Sequence, residues 1–83
     1  MWPEWWEWEL VFTGHVDRRM EQRGVAEVDV RDMLQRAQGY RPTVTPRRFM
    51  IDTNHQGQPW IVIVEPDPDE QRLVIVTAYE ATR

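Results

Sequence analysis

Three common residue types are missing from this chain of 83 residues: it has no cysteine, no lysine and no serine. Without cysteine there is neither a disulfide framework nor a thiolate metal site. Without serine there is no serine nucleophile, and without lysine there is no Walker A loop and no Schiff-base site. The two histidines, His15 and His55, are too few for a multi-histidine metal centre. We therefore expect no metal and no cofactor.

The length is that of one small domain, and hydrophobic residues make up 41% of it, which is sufficient for a core. The net charge of −4 argues against a general nucleic-acid coat. All ten cationic residues are arginines, and residues 31–51 carry a local charge of +4 between two acidic ends, which allows a local anionic partner. Because no apolar run is long enough for a membrane helix and no signal peptide is apparent, we expect a cytoplasmic protein without membrane contact.

Residues 1–8 read MWPEWWEW and contain four of the five tryptophans. We treat them as an N-terminal arm that precedes a single domain over residues 9–83. Trp2, Trp5 and Trp6 have the i, i+3, i+4 spacing of one helical face. Because exposed tryptophan clusters are unfavourable, we expect the arm to pack on the domain's own core or on a dimer mate. The alternative is an arm that docks a partner.

Hydrophobic spacing and turn residues predict a strand over 9–13, helices over 14–23 and 25–37, and strands over 47–53, 60–65 and 72–80. Thr13 is placed to cap the first helix and Gly24 to end it. The fold class is α+β in the order β-α-α-β-β-β, with two helices packed on a four-stranded, mostly antiparallel sheet. Residues 60–64 are apolar at both odd and even positions, so both faces of this strand are expected to be buried. The helices can cover only one face, and the second face needs a cover, either the arm or a dimer mate.

Three segments of this sequence match a recognisable motif order. Residues 15–24 read HVDRRMEQRG, residues 29–34 read DVRDML, and residues 74–79 read VIVTAY. They resemble the H-x-x-x-R-M-x-x-R-G, D-x-x-x-x-L and V-x-V-T-x-Y motifs of a small bacterial family of unknown function, over about residues 10–80. That family is similar to the RelE/ParE toxin fold, whose RelE-like members cleave mRNA on the ribosome and whose ParE-like members act on DNA gyrase. The chain departs from the RelE-like pattern because it is acidic and lacks lysine.

The resemblance raises the possibility of metal-free RNA cleavage, which requires a base, a cation for the phosphate and an acid. His15, Arg19 and Tyr79 are the catalytic candidates. His15 and Arg19 lie one helical turn apart and can converge on one phosphate. The alternative for His15 is a hydrogen bond to its own helix end. Tyr79 is expected to share a face of the last strand with Thr77 and the core residues, and its alternative role is to complete the core.

Arg41, Arg47 and Arg48 are the candidates for RNA binding. In a regular strand, Arg47 and Arg48 point to opposite faces, and the alternative is that they protect an edge strand from aggregation. Arg23, which falls among the core positions of the first helix, is expected to be structural, with its guanidinium on carbonyls or a carboxylate. His55 is placed in a solvent-facing turn.

Two functions therefore remain open. The first is a toxin-type RNA endonuclease that acts on RNA or the ribosome. The second is a non-catalytic interaction module, bound by an antitoxin or another protein, or a homodimer formed through Trp2, Trp5 and Trp6. In the second case the acidic residues 65–70 provide a further contact for a basic partner.

Overall fold

The computed structural model describes residues 1–81. This part of the chain forms a 3₁₀ turn, five strands and two helices. Their bounds are Glu4–Glu7 for the 3₁₀ turn, Glu9–Phe12 for β1, Gly14–Gln22 for α1, Glu27–Gln35 for α2, Gly39–Pro42 for β2, Phe49–His55 for β3, Gln58–Asp67 for β4 and Arg72–Glu80 for β5. The α+β fold class is confirmed.

The sheet has the strand order β1-β5-β4-β3-β2. Strand β1 runs parallel to β5, and the other neighbours are antiparallel. The described residues thus form five strands instead of the predicted four, because β2 contains Pro42, and proline disfavours a strand in the local sequence pattern. Strand β2 lies at the sheet edge and pairs only with β3, where a proline removes no necessary ladder hydrogen bond.

Helix α1 begins and ends with the residues that the sequence indicates. The Thr13 hydroxyl oxygen accepts a hydrogen bond from the Val16 N–H at 3.2 Å, which satisfies one of the free donors of the first turn. Gly24 follows the helix with φ of 76°, a left-handed conformation that favours glycine. The Val25 N–H then donates to the Met20 carbonyl at 3.0 Å, the long hydrogen bond of a Schellman motif.

Helix α2 is fixed at both ends by side chains. The Asp29 carboxylate accepts a hydrogen bond from the Ala26 N–H at 2.8 Å, one half of a capping box. Near the other end, the buried Thr53 hydroxyl of β3 donates to the Met33 carbonyl. This bond joins the helix to the sheet and satisfies a polar group that is only 3% exposed.

Both helices cover the same face of the sheet, and the core lies between the helices and that face. The fully buried large side chains are Val16, Met20, Val30, Met33, Ile51, Val62, Val64, Leu73 and Ile75. On the opposite face, Ile61 is buried at 9% exposure, whereas Ile63, Val74 and Val76 are partly exposed. Within residues 1–81, neither the helices nor the arm lies on that face, so a separate covering layer, which the two-sided apolar pattern predicts, is not present in this part of the chain.

The arm packs on the helix-bearing side of the sheet. The Trp5 ring lies 4.9 Å from the Phe49 ring, and Phe49 is in register with the core residue Val64. Trp2 stacks on Trp6 at 4.3 Å. The prediction that the arm packs on the domain's own core is therefore confirmed, whereas the prediction that it covers the second face is wrong. The arm extends the core beyond the end of the helices instead.

Candidate functional site

Helix α1 presents His15 and Arg19 on its outer surface. Thr13 starts the helix, and Val16 and Met20 turn inward, where each is 1% exposed. His15 and Arg19 are exposed and lie four residues apart, so their Cβ atoms are separated by roughly 5–6 Å on one side of the helix. An imidazole and a guanidinium at this separation can contact the same phosphate.

Arg23 follows at the end of the same helix, and the sheet holds its guanidinium. Its Nη1 donates to the Thr77 hydroxyl at 2.9 Å and to the Ala78 carbonyl at 3.1 Å. Strand β1 pairs with β5 only as far as Ile75, so this carbonyl lies on the part of β5 that β1 leaves open. The structural role predicted for Arg23, with its guanidinium on carbonyls, agrees with these contacts.

A β-bulge at Val76 places Tyr79 on the sheet face opposite the helices. Ile75 pairs with Val64, whereas Thr77 already pairs with the preceding residue of β4, so Val76 is an extra residue in β5. Beyond the bulge, Thr77 and Tyr79 therefore lie on the face opposite the core. The prediction that they share a face with the core residues earlier in the strand is wrong, because a bulge interrupts the two-residue period.

Arg41 and Arg48 each pair with a carboxylate. The Arg41 Nη2 lies 3.1 Å from Asp52, and the Arg48 Nε lies 3.0 Å from Glu65. Asp52 is in register with Ile61, which places the first pair on the sheet face opposite the helices. Because these side chains are 40–56% exposed, each pair contributes roughly 0.2–1 kcal/mol. A phosphate must compete with a carboxylate for either guanidinium.

Arg47 lies before β3 and not within it. Its φ of 70° is left-handed, and the Thr43 N–H donates across this loop to the Arg48 carbonyl at 3.0 Å. The predicted alternation of Arg47 and Arg48 across a strand is therefore wrong, because the strand begins only at Phe49.

The sheet separates the predicted site residues into two groups. His15 and Arg19 lie on the helix layer, whereas Tyr79, Arg41 and Arg48 belong to the opposite side of the sheet. The two groups therefore belong to different surfaces of the fold. The geometry keeps the His15–Arg19 pair together and detaches Tyr79 from it.

Sequence reasoning missed a cavity of about 210 Å³ at the end of the sheet where β3 turns into β4. Its lining includes Arg23, His55, Trp60 and Glu80. His55 is half-buried, with its ring edge-on to Trp60 at 5.6 Å, so the prediction of a solvent-facing turn position is wrong. Strand β3 continues through His55, which has the same parity as the buried Thr53. That parity is the signal by which the position could have been found.

A larger cleft of about 690 Å³ lies at the opposite end of β4, between the arm and the loop that joins β4 to β5. We refer to it as the end cleft. Its lining residues are Trp5, Trp8, Arg47, Phe49, Glu65, Pro66, Asp67, Pro68, Asp69 and Val74. It joins two segments that are far apart in the sequence, which is why no local motif predicted it.

Within residues 1–81, no three His, Cys, Asp or Glu side chains are grouped so that they could hold a metal ion. In the same range, neither helix is long and apolar enough to cross a membrane.

Comparisons with known proteins agree with the fold. Residues 12–80 match the family described as Domain of unknown function (DUF4258). Among solved structures, the chain is similar to the Brucella abortus ribonuclease toxin BrnT, with a TM-score of 0.70 and 16% sequence identity, over 92% of this chain and 99% of that one. No curated protein matches the sequence. At this identity, the likeness to BrnT establishes a shared toxin-type fold.

Proposed function

The chain belongs to the DUF4258 family of unknown function, and we propose that it is a toxin-type protein that cleaves RNA without a metal ion. The observation that carries the proposal is the fold likeness to a ribonuclease toxin over almost the whole of both chains. The exposed His15–Arg19 pair on α1 supports it, because neither side chain takes part in the core.

In the proposed reaction the His15 imidazole takes the proton from a ribose 2′-hydroxyl. The 2′-oxygen attacks the adjacent phosphorus, the bond to the 5′-oxygen breaks, and the products are a 2′,3′-cyclic phosphate and a 5′-hydroxyl. The Arg19 guanidinium bonds the phosphate oxygens, whose negative charge grows in the transition state. The leaving 5′-oxygen takes its proton from water, and the protonated His15 returns its proton to the hydroxide that remains.

Tyr79 is the candidate acid for that last proton. The sheet lies between it and His15, so a Tyr79→Phe substitution is expected to leave the rate of cleavage unchanged. Arg41, Arg47 and Arg48 are proposed RNA contacts away from the reacting phosphate. The partners proposed with this function are RNA or the ribosome as target and an antitoxin as inhibitor, in the bacterial cytoplasm.

The test is induction of the wild-type chain and of single variants in a bacterial host, with growth recorded and RNA 5′-hydroxyl ends mapped. We expect growth arrest and new RNA ends, both lost in His15→Ala and Arg19→Ala. Arg72→Ala is the control, because Arg72 is an exposed arginine of β5 that belongs to none of the candidate sites.

His55→Ala separates two locations for the site. Cleavage that survives His15→Ala but not His55→Ala would move the site to the cavity beside Trp60. Growth arrest without new RNA ends would point to a protein target such as gyrase. Absence of both, with the purified chain leaving RNA and ribosomes intact, would reject the nuclease.

A second candidate is a protein-interaction module, which the net charge of −4 and the exposure of Trp2, at 37%, favour. In this function the arm mediates dimerisation through Trp2, Trp5 and Trp6, or binding of an antitoxin. Sedimentation equilibrium of the wild type and of Trp2→Ala tests the dimer, which is expected to weaken when the stacked indole is removed. A monomer in both chains contradicts it.

A further inference from the structure

The end cleft has an apolar floor that is open to solvent. Trp5, Trp8, Phe49 and Val74 line it, and all four are only partly buried. Its volume of about 690 Å³ falls within the roughly 300–1,000 Å³ of clefts that bind small ligands and peptide side chains. Aromatic side chains of this kind are enriched at the centres of protein interfaces.

Trp8 differs from the other tryptophans of the arm. Trp2, Trp5 and Trp6 are joined by ring contacts of 4.3 to 6.2 Å, whereas Trp8 makes no comparable aromatic contact in the described part of the chain. Trp8 lines the end cleft on one side and a smaller cavity beside α2 on the other. Its indole packs partly on the core, and its exposed part faces these cavities.

The rim of the end cleft is acidic. Glu65, Asp67 and Asp69 line it together with Arg47. Because Glu65 is already paired with Arg48 at 3.0 Å, Asp67 and Asp69 carry the remaining negative charge of the rim. The arm adds two exposed glutamates, Glu4 and Glu7, and β1 begins with a third, Glu9. The fold thus brings together the two acidic segments that the sequence keeps apart. Phosphates are repelled by such a rim, whereas cationic side chains are attracted to it.

We propose that the end cleft binds a basic and apolar peptide segment of a partner protein. An arginine or lysine of that segment lies over the Trp8 ring and pairs with Asp69, and a neighbouring apolar side chain contacts Phe49. This docking does not depend on RNA cleavage. In this complex the protein contributes the acidic surface and the partner contributes the basic one.

The probe is a short synthetic peptide of alternating arginine and leucine, titrated into ¹⁵N-labelled protein while the five indole N–H signals are followed. The Trp8 and Trp5 signals are expected to shift. Trp60 is the internal control, because it is 7% exposed and lies at the other end of β4. The same peptide with glutamate in place of arginine is expected not to bind.

Two substitutions identify the contacts. Asp69→Asn is expected to weaken binding about two- to fivefold, as removal of one exposed ion pair does. Trp8→Leu keeps the surface apolar but removes the cation–π contact, with a similar expected loss. Glu21→Gln, an exposed carboxylate of α1, is the control for non-specific attraction and is expected to have no effect.

Four results would overturn the proposal: no binding, equal binding of the glutamate peptide, equal weakening by Glu21→Gln and Asp69→Asn, or shifts centred on Trp60. Shifts of Trp5 and Trp8 with protein concentration alone would mean that a second copy of the chain occupies the cleft. Loss or retention of RNA cleavage in these variants bears on the nuclease and not on this docking site.

Discussion

The Arg23 Nη1 lies 3.1 Å from the Ala78 carbonyl, and this hydrogen bond occupies the edge of β5 beyond the last residue paired with β1. The same nitrogen also bonds the Thr77 hydroxyl. A side chain at the end of α1 thus supplies a donor that a longer β1 would have supplied from its backbone. The contact fixes the helix relative to the sheet, and with it the surface that carries His15.

Arg23→Met keeps the length of the aliphatic stem and removes both hydrogen bonds. We expect the free energy of unfolding to fall by about 1–2 kcal/mol, the range for hydrogen bonds to a charged donor that is partly exposed. Arg18→Met on the same helix is the control and is expected to change stability by less than about 0.5 kcal/mol. Urea denaturation followed by circular dichroism measures both, and equal effects would contradict the role assigned to Arg23.

Gly24→Ala tests the left-handed end of α1. An alanine at φ of 76° is strained, so we expect a loss of about 1–2 kcal/mol in stability. Gly14→Ala is the matched control, because Gly14 lies within the helix and its position has open space for a Cβ atom. That substitution is expected to be neutral or to stabilise by roughly 0.5–1 kcal/mol. If Gly24→Ala stabilised the protein, the left-handed conformation assigned to Gly24 at the end of α1 would be contradicted.

Trp5→Ala tests whether the arm is part of the core. Trp5 contacts Phe49 and is half-buried, so we expect a loss of about 2–3 kcal/mol, below the 3–5 kcal/mol of a fully buried aromatic residue. Trp2→Ala, at the exposed edge of the arm, is expected to lose less than about 1 kcal/mol. Thermal unfolding of both variants decides the question. Equal small losses would mean that the arm is a detachable appendage.

The local signals in the sequence were sufficient for the helices and for most strands. Thr13 and Gly24 mark both ends of α1, and the predicted last strand over 72–80 coincides with β5. Strand β2 was missed because Pro42 disfavours a strand in general, and only its edge position makes it acceptable. Whether a strand lies at the edge or in the centre of a sheet is decided when the sheet assembles, and no short segment of the sequence shows it.

The site was less predictable, because it depends on register. Val76 reads as an ordinary strand residue, yet the bulge there moves Tyr79 to the other face and away from His15. The carboxylates that pair with Arg41 and Arg48 are 11 and 17 residues away, so charge counting over 31–51 overstated the free positive charge. The His15–Arg19 pair was predictable because helical spacing alone defines it.

The pairing of Arg41 with Asp52 leads to a prediction about RNA binding. In a His15→Ala background, which is expected to prevent cleavage, Asp52→Asn releases the guanidinium for phosphate contact. We expect affinity for single-stranded RNA to rise and the salt dependence of the binding constant to steepen by about 0.7 in log–log slope, the value for one additional phosphate contact. Filter binding at several salt concentrations measures it. Adding Arg41→Ala to Asp52→Asn is expected to abolish the gain, since the released cation is then absent. A gain that persists in the double variant would mean that the lost negative charge, and not Arg41, is responsible, and Arg41 would no longer be a candidate RNA contact.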